Sequence, residues 1–146
     1  MAEFRGVCEG GAGTATLPFA GIYAGSGTRV VLREIKCFTT AANAARIRIQ
    51  RATTAGTWTG EEEIETWEDG PSPDATIVVT ASSTAPTMGN PIDVGAIGAA
   101  IGSGFVYTYY GEGRGLVIPS GTGNGIVLIE NADTANTYDV TFVWDE

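Results

Sequence analysis

The sequence predicts an all-β protein, an antiparallel two-sheet sandwich of jelly-roll-like type. Three observations carry that expectation. Gly, Thr and Ala supply about 40% of the 146 residues, and Thr and Gly serve strands and turns better than helices. Charged residues are only 17% of the chain, with Lys36 as the single lysine, which is low for a helical bundle. Short runs of branched and aromatic residues recur between Gly, Pro and Asn turn signals. The length fits one domain able to bury roughly two thirds of its unfolded surface. No repeat of 20–50 residues is visible, which argues against a propeller or solenoid.

Residues 1–28 read as a Gly-rich N-terminal arm, because Gly6, Gly10, Gly11, Gly13, Gly21, Gly25 and Gly27 interrupt every periodic run. Residues 29–146 then form the sandwich. Arg29–Thr40 is the first clear strand. Ala44–Arg51 alternates, with Ile47 and Ile49 on one face and Arg46, Arg48 and Gln50 on the other. Glu61–Trp67 reads as an acidic edge strand, ended by the turn cluster Asp69-Gly70-Pro71. Ala75–Ala81 is a strand. Ser82–Gly104 has no clear period, and its Val94–Ile101 segment reads as a small helix or irregular packing. Phe105–Tyr110 is an aromatic strand. Leu116–Ile118 and Gly125–Glu130 form a hairpin through Pro119–Asn124. Tyr138–Asp145 alternates again, placing Tyr138, Val140, Phe142 and Trp144 on one face. About eight strands follow from this reading.

The absence of histidine removes Ser-His-Asp and Cys-His catalysis and His-ligated zinc. Cys8 and Cys37 are too few for a Cys₄ site. Residues 1–5 lack a signal peptide's charged start and apolar run, so both cysteines are expected as thiols, with Cys37 in the core and Cys8 on the arm. No apolar run is long enough to span a membrane. Charge is unevenly placed. Residues 1–51 hold seven bases against three acids; residues 52–146 hold Arg114 against fourteen acids. Two readings follow: basic and acidic strands paired within one molecule, or a subunit with unlike faces that meets copies of itself or a partner. The net charge of −9 disfavours nucleic acid.

Three features invite a chemical reading. Gly111–Gly115 and Gly121–Gly125 resemble phosphate-loop fragments, but strands follow both and no lysine follows either, so turn chemistry explains them. The acids Glu61, Glu62, Glu63, Glu65, Glu68, Asp69 and Asp74 contain the raw material for glycoside hydrolysis or calcium binding; a solvated edge strand explains them more simply. Trp58 and Trp67 flank that acidic strand and are the aromatic residues expected at the surface, where a sugar or a partner would meet them.

The run Arg46–Thr57 (RIRIQRATTAGT), the run Gly115–Ile126 (GLVIPSGTGNGI) and the end Phe142–Glu146 (FVWDE) together resemble small virion structural proteins of tailed bacteriophages, of the head-decoration or capsid-associated type. The likeness spans residues 29–146 and rests on turn and strand patterns. It implies a β-sandwich that binds the capsid exterior, often as a trimer, without catalysis. The resulting expectation is a non-enzymatic virion subunit, made in the host cytoplasm. It binds its own copies and the major capsid protein and needs no cofactor, metal, nucleic acid or membrane. Its expected partner interface is Arg46, Arg48, Arg51, Trp58, Glu61, Glu63 and Trp67. The alternative is a carbohydrate-binding sandwich module on a phage or bacterial surface structure.

Overall fold

The structure, a computed structural model, describes residues 2–62, 64–66, 72–110 and 115–146. Its strands in chain order are β1 (Glu3–Ala12), β2 (Ala20–Tyr23), β3 (Val30–Thr39), β4 (Ala45–Ala52), β5 (Trp58–Glu62), β6 (Ile64–Thr66), β7 (Thr76–Ala81), β8 (Met88–Ile97), β9 (Gly104–Thr108), β10 (Leu116–Ile118), β11 (Gly125–Glu130) and β12 (Thr137–Asp145). They form two six-stranded sheets. The first has the order β10-β3-β12-β1-β6, with β9 also beside β3; the second has the order β5-β7-β2-β11-β4-β8. All pairs are antiparallel.

β9 and β10 run along one edge of β3. Thr108 faces Glu34, the Tyr109 N–H donates to the Arg33 carbonyl at 2.8 Å, and Leu116 faces Leu32. With β9 and β10 counted as one strand, β1-β12-β3-β9/β10 lies opposite β2-β11-β4-β8. That is the strand order of a jelly roll, as expected. The β5–β7 segment is an insertion between β4 and β8 that widens both sheets, β5 and β7 beyond β2 and β6 beyond β1.

The core lies between the sheets, where alternation predicted it. On β12, Tyr138, Val140, Phe142 and Trp144 are all fully buried, and so are Ile47 and Ile49 on β4. Phe4 stacks on Trp144 at 5.8 Å between ring centroids, and Phe19 on Tyr138 at 4.2 Å. At the far end of the core, the buried Glu130 carboxylate accepts from Tyr138 Oη at 2.6 Å, Thr134 Oγ1 at 2.9 Å and the Thr134 N–H at 3.1 Å.

Four expectations are corrected. Residues 1–28 are not an arm: β1 sits between β12 and β6 in the first sheet, and β2 between β7 and β11 in the second. The glycines misled because a strand glycine also makes room for a neighbour. Gly6 faces inward on β1, and a Cβ there would run into the Ile77 side chain. The β10–β11 hairpin does not form. β10 pairs with β3 and β11 with β2 and β4, so residues 119–124 cross from one sheet to the other, a gap of roughly 10 Å. Ser82–Gly104 holds a ten-residue strand, β8, and no helix over Val94–Ile101. Its Pro91 fits because β8 is an edge strand. The acidic segment is two strands in different sheets, β5 and β6.

Cys8 and Cys37 are both buried, Cys8 because β1 is a sheet strand rather than an arm. Both face Val140 of β12 from opposite sides, which puts them two strand spacings apart, about 10 Å. A disulfide needs its Cα atoms within about 7 Å, so the pair stays reduced. Burial, with a smaller push from Glu62, lifts the Cys8 thiol to about 12. Burial and then Asp139 raise Cys37 as well. Neither thiol should react with a disulfide reagent in the native protein, and both should react together on unfolding. Rapid native labelling of Cys8 alone would contradict its place in the sheet.

Candidate functional site

The sequence-predicted interface residues that the structure describes lie mostly on the second sheet. Arg46 and Arg48 alternate with the buried Ile47 and Ile49 and so point away from the core. Arg46 is exposed and forms no ion pair with a described residue. Arg48 is half-buried, and its guanidinium donates to the carbonyls of Ala15 at 3.4 Å and Glu130 at 3.3 Å. Arg51 departs from them. It donates from Nη1 to the Val117 carbonyl of β10 at 2.8 Å, clipping the end of β4 to the opposite sheet. The three arginines therefore do not form one face. Beside Arg46 and Arg48, their β8 partners Ala96 and Val94 are exposed, and Val94 keeps 39% of its surface.

The other end of the same sheet is acidic and aromatic. Glu61 on β5 is exposed and pairs with Val78 of β7. Trp58, expected at the surface, is half-buried. Its indole meets Tyr23 edge-on at 6.1 Å, and its Nε1–H donates to the Ala55 carbonyl at 2.5 Å. The loop that carries it is held in place: Thr57 N–H donates to Thr84 O at 2.8 Å, Ser82 N–H to Thr57 O at 2.8 Å, and Gly56 adopts φ +68°, with no room for a Cβ beside the Thr84 carbonyl. Glu63 and Trp67 lie outside the described residues.

Sequence reasoning missed Tyr23. It joins Val78, Val127 and Ala52 in a second buried cluster on the outer side of this sheet, against which Trp58 and Met88 pack. One signal was available. Residues 125–130 (GIVLIE) are apolar without alternation, the mark of a strand covered on both faces, and every residue of β11 is buried. Trp58, Tyr23, Glu61, Thr57, Thr76 and Thr122 line an open groove of about 440 Å³ floored by Val78. Burial raises the Tyr23 phenol well above its usual range. Its hydroxyl has no hydrogen-bond partner, since the nearby indole N–H is given to Ala55.

Among the described residues there is no group of three or more Cys, Asp or Glu placed to hold a metal ion. Of the buried carboxylates among the described residues, Glu130 is engaged by Tyr138 and Thr134, and Asp145 by Arg33. Compared with known proteins, the chain matches no family model and no curated protein sequence.

Proposed function

We propose that this protein is a non-catalytic virion structural subunit, a head-decoration protein of a tailed bacteriophage, which binds its own copies and the major capsid protein. One observation carries the self-association half of the reading. In the order β5-β7-β2-β11-β4-β8, Glu61 sits on the edge strand β5 and Arg46 on β4, the last strand but one on the other side, four strand steps or about 19 Å away across the sheet. They are too far apart to pair within a molecule, yet both are exposed. Unlike ends of one face can meet head to tail, and a closed ring is the finite product of that contact. A trimer is favoured by the likeness to decoration proteins. On the first sheet, Phe38 and Val106 are exposed diagonal neighbours across β3 and β9, and Ile101 in the preceding turn keeps 72% of its surface. That apolar group is available to the capsid.

Light scattering at micromolar concentration should give a multiple of 15.1 kDa, with three copies expected. Mixed with purified phage capsids, the protein should sediment with them and raise their melting temperature. A monomer at every concentration that also leaves capsids unbound would overturn the reading.

A further inference from the structure

We infer that the groove formed by Trp58, Tyr23 and Glu61 receives the Arg46 guanidinium of a neighbouring copy. This rests on the self-association reading and names its contact. The groove holds the parts that a guanidinium requires. Glu61 supplies an exposed carboxylate for a charge-assisted pair. Trp58 supplies an aromatic wall, the surface on which arginine stacks most often. Tyr23 is buried beside the indole and closes the back of the groove, with its hydroxyl shielded from solvent. Among the described residues no base lines the groove.

The choice of Arg46 follows from where the other bases are engaged. Lys36 pairs with Glu34 at 3.1 Å and Arg33 with Asp145. Arg48 and Arg51 donate to backbone carbonyls. Arg5 lines a cleft on the first sheet together with Glu3 and Asp145. Arg29 is exposed in the loop before β3 and is not part of a strand. Among the described bases, Arg46 alone combines exposure, a position on the outer face of the second sheet, and exposed apolar neighbours in Val94 and Ala96. Apolar contact surrounding a desolvated arginine is the composition of an interface centre. The groove is also preorganised, because the Ala55–Trp58 loop is fixed by its own hydrogen bonds, so binding costs little ordering.

Sedimentation equilibrium on the full chain tests this with a charge swap. Arg46→Glu and Glu61→Arg should each weaken association about tenfold or more. The double variant should recover to within about threefold of the wild type. Trp58→Ala should weaken it about fivefold. Arg29→Glu makes the same charge change outside the contact and should leave association unchanged. All of these positions lie outside the inter-sheet core, so thermal melts report whether a variant still folds. An oligomer that is indifferent to Arg46→Glu, or that the double variant does not rescue, overturns this contact and leaves self-association standing. A wild-type chain that is monomeric up to about 100 μM overturns both.

Discussion

Raising the pH above about 10 should unfold this protein within roughly one to two pH units. Four buried acids drive the effect. Cys8 and Cys37 have ordinary thiol values of 9.0, and Tyr23 and Tyr138 ordinary phenol values of 10.0. In the folded chain all four are raised, Cys8 to about 12. Burial is the first cause for each, and the neighbouring Glu130 adds to it at Tyr138. A raised value means the folded state holds its proton at a pH where the unfolded chain has released it. The stabilisation is complete below the unfolded values and is lost as pH rises through 9 and 10 toward the folded ones. Each withheld proton removes about 1.4 kcal/mol per pH unit. Four together approach about 5.5 kcal/mol per unit above the phenol range, against a domain stability of about 5–15 kcal/mol. Tyr138→Phe separates the contributions. It should cost about 1–3 kcal/mol at neutral pH, because Glu130 loses a donor. It should also make the alkaline loss shallower by about one proton. Denaturant melts from pH 7 to 11.5 measure both effects, and a stability that stays flat to pH 11.5 would show that these groups are not sequestered.

Trp144→Ala should destabilise the fold by about 3–5 kcal/mol, the largest loss expected from a single truncation in this chain. Trp144 is fully buried and stacks on Phe4, and its Nε1–H donates to Glu146 Oε1 at 2.9 Å. The effect reaches beyond the cavity. Glu146 also accepts from the backbone N–H groups of Asp74 at 2.7 Å and Ala75 at 3.0 Å, so the indole helps to hold the carboxylate that anchors the start of β7. For a domain of this size the melting temperature should fall on the order of 10 °C. Trp58→Ala is the contrast. Trp58 is half-buried on the outer side of the second sheet and should cost less than half as much. Equal losses from the two variants would contradict the assignment of Trp144 to the inter-sheet core.

The candidate interface was legible in part. Arg46 and Arg48 were found correctly as an outward pair, because alternation on a half-buried strand reports facing directly. Alternation leaves Arg51 open, since a residue near the end of a strand can turn toward either sheet, and its bond to the Val117 carbonyl turns it toward the first. Trp58 was selected as a surface aromatic, but its partner Tyr23 was not. Residues 20–23 (AGIY) are short and lie among glycines, and only the closeness of β7 and β11 shows that both faces of β2 are covered. The hairpin assigned to β10 and β11 failed for a related reason. A six-residue Gly-rich connection serves equally well to turn back within a sheet or to cross to the other one.

The sequence by itself determined the class of the fold, the inward faces of β4 and β12, the burial of Cys37 and the unequal distribution of charge. These are properties of composition and of period-two alternation, which are local and need no knowledge of neighbours. Only strand neighbours reveal that the first 28 residues belong to both sheets, that Cys8 is sequestered, and that Arg46 and Glu61 stand four strands apart on one sheet. Each of these depends on which strands lie side by side. In a jelly roll most neighbours are far apart in the chain, β1 beside β12 and β2 beside β11, so pairing is settled by burying two apolar faces at once. A strand's own residues specify the face it must bury, and the rest of the chain specifies what it is buried against.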